Sequence, residues 1–282
     1  MTDPRGPVQS GLPRHQDPSV RVGVAGYPVA KESLPTSEYA SGGYVLRFAQ
    51  TPDELEAILK LRFAVFNLEL DEGFAESYST GKDEDELDAR FHHLAITHTP
   101  TGEIVGTYRM QTAQMAAALG GFYSAGEFDL GGIPADILDD AVEVGRACVA
   151  KAHRNGRVLQ LLWRGLAQYL TWNGKRYLFG CCSLTSQDLD FGHRVYQFLL
   201  AEGHADADFR VTPLDGLECP PDPARGGPRP AVHIPALFQS YLNLGARVCG
   251  PPAIDRRFQT IDYLVLLDIQ ALDERIYRVF FG

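Results

Sequence analysis

Two charged side chains, Glu143 and Arg146, interrupt a segment that is otherwise apolar or small, with Val142, Val144, Cys148 and Val149 around them. Charge in such a strand belongs either to a satisfied ion pair or to a working site. The chemistry open to Glu143 is that of a general base, taking a proton from an incoming nucleophile directly or through water. Just beyond lies a basic turn, Lys151-Ala152-His153-Arg154-Asn155-Gly156-Arg157, and then apolar residues at helical spacing, Val158, Leu161, Leu162 and Leu166. The period changes from 2 towards 3.6, so a strand feeds a helix here. The first turn of a helix presents unpaired N–H groups, and with these cations the junction suits a phosphate. Lys151, Arg154, Asn155, Gly156 and Arg157 are its candidate ligands, and Arg164 adds a cation further along.

Composition narrows the partners. The chain has 282 residues, 45% hydrophobic, and a formal charge of −10, yet Glu143 to Tyr177 holds five Arg and two Lys against one Glu. Such a chain can bury a full core as one large or two small domains. Its acidity argues against a general nucleic-acid binder, and the local basic patch selects an anion at one place, a phosphate group or an acidic carrier protein. Five cysteines, odd in number and without C-x-x-C spacing, support neither a disulfide framework nor a zinc site. No apolar run approaches the ~20 residues needed to span a bilayer, so a cytoplasmic protein, at most peripheral to the membrane, is expected.

The elements that must position these residues follow in order. Residues 1–42 are rich in Pro, Gly and Ser and read as a disordered leader, with one domain over 43–282. Tyr44–Phe48 reads as a first strand, and Thr51 with Glu54 as a capping box for a helix to about Leu70. Arg62 shares that helix's face with Ile58, Leu59 and Phe66, so it snorkels or enters a site. The acidic run Lys82–Arg90 (KDEDELDAR) reads as a solvated loop or as a pocket wall for a cationic amine. A strand at His92–Thr97 and one at Ile104–Thr112, carrying Arg109, form a hairpin through Thr99–Gly102. After the central strand and its helix, Asn173-Gly174 is a stop signal and Tyr177–Leu184 a further buried strand. Ser186 or Asp188 caps a helix to about Glu202. Residues 205–232 read as a Pro/Gly-rich insertion or mobile flap, Ile234–Leu244 as a short helix, Tyr263–Ile269 as a last strong strand, and Arg275–Phe280 as a terminal strand or amphipathic tail. The fold class is α/β with a mixed sheet.

This order resembles the GNAT acyltransferase superfamily over about Tyr44 to Ile269. The spacing of Arg62-x-x-x-Phe66, Asp85-x-x-Asp88, Arg109 and Glu143-x-x-Arg146 is similar to the acyl-homoserine-lactone synthases. Closer still, GRACVAKAHRNGRVLQLLWRGLAQYL and IPALFQSYLNLGARVCGPPAIDRRFQTIDYLVLLDI resemble the ornithine-lipid N-acyltransferases, often labelled hemolysin-like. That resemblance implies transfer of a 3-hydroxyacyl chain from acyl carrier protein to the α-amine of ornithine. In the coenzyme A-binding GNAT turn the outer positions are Gln or Arg and Gly or Ala; here they are His153 and Val158, which favours a carrier-borne phosphopantetheine with its single phosphate.

The implied roles are specific. Phosphopantetheine is the donor, with no permanently bound cofactor or metal, and it lies between the central strand and the Tyr177 strand. Its phosphate meets Arg154–Arg157, while Lys151, Arg154, Arg157 and Arg164 dock the carrier. A bulge near Val144–Ala147 supplies N–H groups to the oxyanion. Glu143 is the base, Arg146 orients Glu143 or Asp88, and Tyr196 returns a proton to the thiolate. Arg62, Phe66, Asp85, Asp88 and Arg109 shape the substrate pockets, the two aspartates facing an acceptor's ammonium. The alternatives are a structural ion network of Asp88, Arg109, Glu143 and Arg146, a signal synthase using S-adenosylmethionine, an acetyl-CoA-dependent acetyltransferase, and a non-catalytic carrier-binding module. Cys148 with His153 lacks an orienting third group and is set aside as a thiol catalyst.

Overall fold

A computed structural model describes residues 26–205, 208–224 and 231–281. Its main sheet has nine strands: β1 (Tyr39–Ser41), β2 (Tyr44–Phe48), β3 (His92–His98), β4 (Glu103–Thr112), β6 (Ala141–Val149), β7 (Tyr177–Leu184), β9 (Arg247–Val248), β10 (Ala253–Asp255) and β11 (Thr260–Asp268). They run in the order β1-β2-β3-β4-β6-β7-β11-β10, with β9 also on β11. Every pair is antiparallel except β6 with β7. A two-stranded sheet, β5 (Phe128–Asp129) with β8 (Thr212–Pro213), lies apart. The helices are α1 (Pro52–Phe66), α2 (Ser77–Thr80), α3 (Ala113–Leu119), α4 (Ala135–Asp139), α5 (Gly156–Asn173), α6 (Leu189–Ala201), α7 (Ala236–Asn243) and α8 (Glu274–Phe281).

Alternation along the strands splits the core into two layers. Leu46, Leu94, Met110, Val142, Val144 and Leu178 meet Val158, Leu161, Leu162 and Leu166 of α5 on one face. On the other, Leu61, Val65 and Phe66 of α1 pack with Cys148. Local signals set the ends of these elements. Thr51 accepts from Glu54 N at 3.3 Å, while Glu54 reaches back one residue further than a capping box requires, to Gln50 N at 2.6 Å. Gly174, at φ +60°, ends α5, and Asp188 caps α6 through Phe191 N at 3.1 Å.

Two expectations about the chain's organisation change, and the terminal segment takes the amphipathic of its two readings. Within the leader, Tyr27 and Leu34 are buried and β1 joins the sheet, so the packed region begins before residue 43; residues 1–25 lie outside the described ones. Within the expected flap, Val211 and Cys219 are buried and Val211 N donates to Cys249 O, which makes 208–224 part of the packed body; 206–207 and 225–230 lie outside the described residues. The terminal segment is a helix, α8, whose Phe280 meets Trp163 of α5.

Two irregularities in the central strands open the fold. β6 and β7 pair only over Ala141–Glu143 and Tyr177–Phe179, then part. At the parting point a Cβ on Gly180 would stand 2.1 Å from Val144 O, so only glycine permits this approach. Opposite, Thr107 pairs with Cys148 but Arg109 with Gly145, leaving Arg146 and Ala147 against Tyr108. This is a β-bulge in the expected stretch, with Arg146 at φ +46°.

Candidate active site

The parted strands enclose a cavity of about 340 Å³. Val144–Ala147 form one wall and Gly180–Ser183 the other; Tyr108 and Tyr241 close one side, Tyr123, Thr260 and Asp262 another, and Glu72 and Phe258 also reach it. The bulge therefore faces the interior. Bulges turn backbone N–H groups out of the ladder, which is the geometry a developing oxyanion requires.

Beside the cavity lies a buried network of three Arg and three Asp. Arg62 Nε donates to Asp83 Oδ1 at 2.7 Å and its Nη1 to Asp88 at 2.5 Å. Arg109 Nη1 donates to both oxygens of Asp85, at 2.8 and 2.7 Å, and to Asp88 at 2.9 Å. Asp83 also pairs with Arg146. Burial opposes ionisation of Asp85, yet Arg109 and Arg62 hold its carboxyl well below the usual carboxylate range. The charges balance within the network. Asp85 and Asp88 are thus already neutralised, and Asp88 further accepts from Asp85 N at 2.9 Å.

Glu143 stands apart from this network. It is 2% exposed and accepts four hydrogen bonds: from Gln111 Nε2 at 2.7 Å, Tyr123 N at 2.8 Å, Ser124 N at 2.7 Å and Ser124 Oγ at 2.7 Å. Four donors saturate the carboxylate, and it does not reach the cavity. Its geometry is that of a clamp, fixing the Tyr123–Ser124 loop against β6. Glu143→Gln sets an amide NH₂ against these donors and is expected to destabilise the fold by roughly 1–3 kcal/mol in chemical denaturation, without altering the shape of the pH–rate profile.

Arg146 enters the cavity with its guanidinium between Phe66 and Phe258, 4.0 and 4.2 Å from their ring centroids. One edge pairs with Asp83, and its Nε is buried without a hydrogen-bond partner. It contacts neither Glu143 nor Asp88 as an orienting partner.

Three comparisons bear on identity. Residues 61–164 match the model described as an Acetyltransferase (GNAT) domain. The L-ornithine N(alpha)-acyltransferases of Agrobacterium fabrum and Rhizobium meliloti are each 30% identical over 247 residues, covering 84% of this chain and 84% and 83% of theirs. That of Brucella abortus is 30% identical over 254 residues, 86% of this chain and 89% of its own. The chain belongs to the L-ornithine Nα-acyltransferase family. Among solved structures, a coenzyme A-dependent acyl-homoserine lactone synthase, BjaI, is 15% identical over 81% of this chain and 80% of its own, with a TM-score of 0.45.

For this N-acyltransferase, the residues singled out from sequence fall into three places. Arg62, Asp85, Asp88 and Arg109 meet in the ion network, with Phe66, Arg109 and Arg146 lining the cavity. The basic turn lies beyond the end of β6, and none of its residues lines the cavity. Asn155 Oδ1 caps α5 through Arg157 N and Val158 N, both 3.1 Å, so an anion there must displace it. Arg154 forms a two-point pair with Glu69 at 2.6 and 2.8 Å. Arg164 lies away from the turn, stacked 4.2 Å from the Tyr39 ring and donating to Val279 O at 3.4 Å. Tyr196 is a half-buried residue of α6 outside the cavity lining; the hydroxyls of Tyr108 and Tyr241, 3.0 Å apart, are among those that line it.

Sequence reading passed over Asp83, Glu72, Glu127 and Asp262. Asp83 was visible only as one acid among five in its run. Asp262 had a signal, an acid near the head of the apolar strand TIDYLVLLD. No helix among the described residues is long and apolar enough to cross a membrane.

Proposed function

We propose that this enzyme moves a (3-hydroxy)fatty acyl chain from the phosphopantetheine thioester of an acyl carrier protein to the α-amine of ornithine, giving a lyso-ornithine lipid. The cavity between β6 and β7, beside the bulge, carries this reading in a chain whose relatives are named for ornithine acylation. A thin pantetheine arm fits between parted strands with its thioester carbonyl toward the Gly145–Ala147 backbone. The acyl chain takes the apolar wall of Val144, Phe238 and Val265. Arg146, its Nε unpaired, faces the acceptor's α-carboxylate.

The α-amine loses a proton and its nitrogen attacks the carbonyl carbon. A C–N bond forms, the C–S bond breaks, and the thiolate takes up a proton. Glu72 replaces Glu143 as the base: it lines the cavity, its carboxyl is raised by burial, and a hydrogen bond from Thr185 Oγ1 orients it. The Tyr108–Tyr241 pair replaces Tyr196 as proton source for the thiolate; burial raises both, so both hydroxyls stay protonated. The basic turn, with Lys151 and Arg157 exposed, docks the acidic carrier at the outer end of β6.

Incubation with 3-hydroxyacyl carrier protein, the matching coenzyme A thioester and an amino-acid panel, read by mass spectrometry, tests this. N-acylornithine formed preferentially from the carrier is expected. No N-acyl product with any acceptor overturns the acyl-transfer reading, equal use of the coenzyme A thioester removes the carrier, and methylthioadenosine released from S-adenosylmethionine indicates a signal synthase.

A further inference from the structure

Glu127, Cys181 and Asp262 come from three separate elements, and each places a ligand atom within 4.8 Å of the others. Glu127 is 7% exposed and Asp262 3%. Asp262, Cys181, Thr260 and Tyr123 line the cavity. Glu127 Oε1, Asp262 Oδ1 and Thr260 Oγ1 are buried without a hydrogen-bond partner. Neither carboxylate forms an ion pair among the described residues, whereas Asp83, Asp85 and Asp88 are each matched by Arg. Two buried acids side by side, with orphaned oxygens, are costly unless something positive joins them.

Burial pushes both carboxyls upward, Asp262 to about 6, helped in each case by the nearby Asp255 charge and, for Glu127, by that of Asp262. In the free protein the pair therefore holds a proton, which a cation can displace. Two of the orphaned atoms are carboxyl oxygens and the third is the Thr260 hydroxyl, which accepts as well as donates, and an ammonium carries three N–H donors and no acceptor. Across the same cavity lies the Arg146 guanidinium, one edge paired with Asp83 and its Nε without a hydrogen-bond partner. A zwitterion whose side chain ends in an ammonium matches this polarity: its carboxylate at Arg146 and its far amine at the acids.

We propose that Glu127 and Asp262, with Thr260, bind the side-chain ammonium of the acceptor and so select a diamino acid. This rests on the acyl-transfer reading above and names the part of the site that makes it specific. It also reassigns the ammonium contact expected of Asp85 and Asp88, which Arg62 and Arg109 already occupy. Sites that hydrogen-bond a substrate group reject the analogue lacking it strongly, because their own buried polar atoms are then left unpaired.

The test compares kcat/KM for ornithine and for norvaline, which is ornithine without its terminal amine, using one acyl-carrier donor. The wild-type enzyme is expected to prefer ornithine by at least about 10²-fold. In Glu127→Gln/Asp262→Asn that ratio should fall to near one, through a higher KM for ornithine and an unchanged or improved norvaline reaction. Asp262→Asn alone, which keeps the protonated neighbour, should lower the ratio too and serves if the double variant does not fold. Calorimetry of ornithine against the enzyme without donor should show the same loss of binding. An undiminished ratio in a folded variant overturns the assignment, as does an equal loss on both acceptors, which would put the acids in the chemistry or the fold. Micromolar Zn²⁺ or Mn²⁺ binding that disappears in the variant also overturns it, in favour of a metal site. These results are separable from failure of the broader reading, in which the wild-type enzyme acylates no amino acid at all.

Discussion

Arg109→Met is expected to destabilise the fold by roughly 3–5 kcal/mol at neutral pH, lowering Tm by about 6–20 °C. Methionine keeps most of the volume and removes the charge. Arg109 is 2% exposed, and its guanidinium bridges Asp85 and Asp88 while lying 4.8 Å from the centroid of Phe91. Without it Asp85 loses its direct partner, and Asp88 keeps only Arg62. The pH dependence gives this prediction its sign. Burial works against the charged form of Asp85, but Arg109 and its neighbours reverse that, so the folded carboxyl titrates below the unfolded one. Such a group adds stability above the unfolded pKa of about 4, and the addition is lost as pH falls towards the folded value. In the variant the carboxyl rises instead, and the deficit should be largest at pH 7 and shrink towards pH 4. Urea denaturation at both values measures it. Arg109→Lys should recover only part of the loss, because one ammonium cannot reproduce the fork between two aspartates. The same ΔΔG at both pH values would exclude the network as its origin.

This network also marks how far the sequence carries. The residue types and order of Arg62, Asp85, Asp88 and Arg109 predict a shared location, and they share one. Their use differs, since paired charges and working charges look alike until partners are counted. Only the fold shows that Asp83 completes a set of three acids and three cations. The central strand, basic turn, helix and second strand were legible because their period, cap and stop signals are local: Asn155 caps α5 and Gly174 ends it. Even the bulge was foreseeable near Val144–Ala147, where the structure has it at Arg146. Glu143 lies outside the cavity lining for a nonlocal reason. Its four donors come from Gln111 and the Tyr123–Ser124 turn, brought together by a loop without periodicity. Asp262 and Glu127 are 135 residues apart in sequence, and nothing local joins them. Packing of the leader has no periodic signal, because Tyr27 and Leu34 are single apolar anchors in a Pro- and Ser-rich stretch.

Glu72→Gln is expected to lower kcat by about 10²–10⁴-fold while leaving acceptor binding within a few fold. An amino-acid acceptor arrives as an ammonium at neutral pH and cannot attack until it loses a proton. Glu72 is the cavity carboxylate with a free role, since Glu143 is saturated, Asp85 and Asp88 are paired, and Asp262 is assigned to the acceptor's far end. Burial raises its carboxyl, and Thr185 and Arg146 oppose the rise. A raised carboxyl is a stronger base, so activity should fall as pH drops through its titration and level off above it. The Gln variant should lose that acidic limb and instead climb steadily with pH, as free amine becomes the limiting species. Glu143→Gln gives the contrast: less stable, but with the limb intact. Retention of both full turnover and the acidic limb in Glu72→Gln would exclude it as the base. Thr185→Val separates orientation from basicity, because losing the hydroxyl leaves a carboxylate in place but free to turn. A modest loss in kcat with the limb moved to higher pH is then expected, since the hydroxyl favours the ionised form.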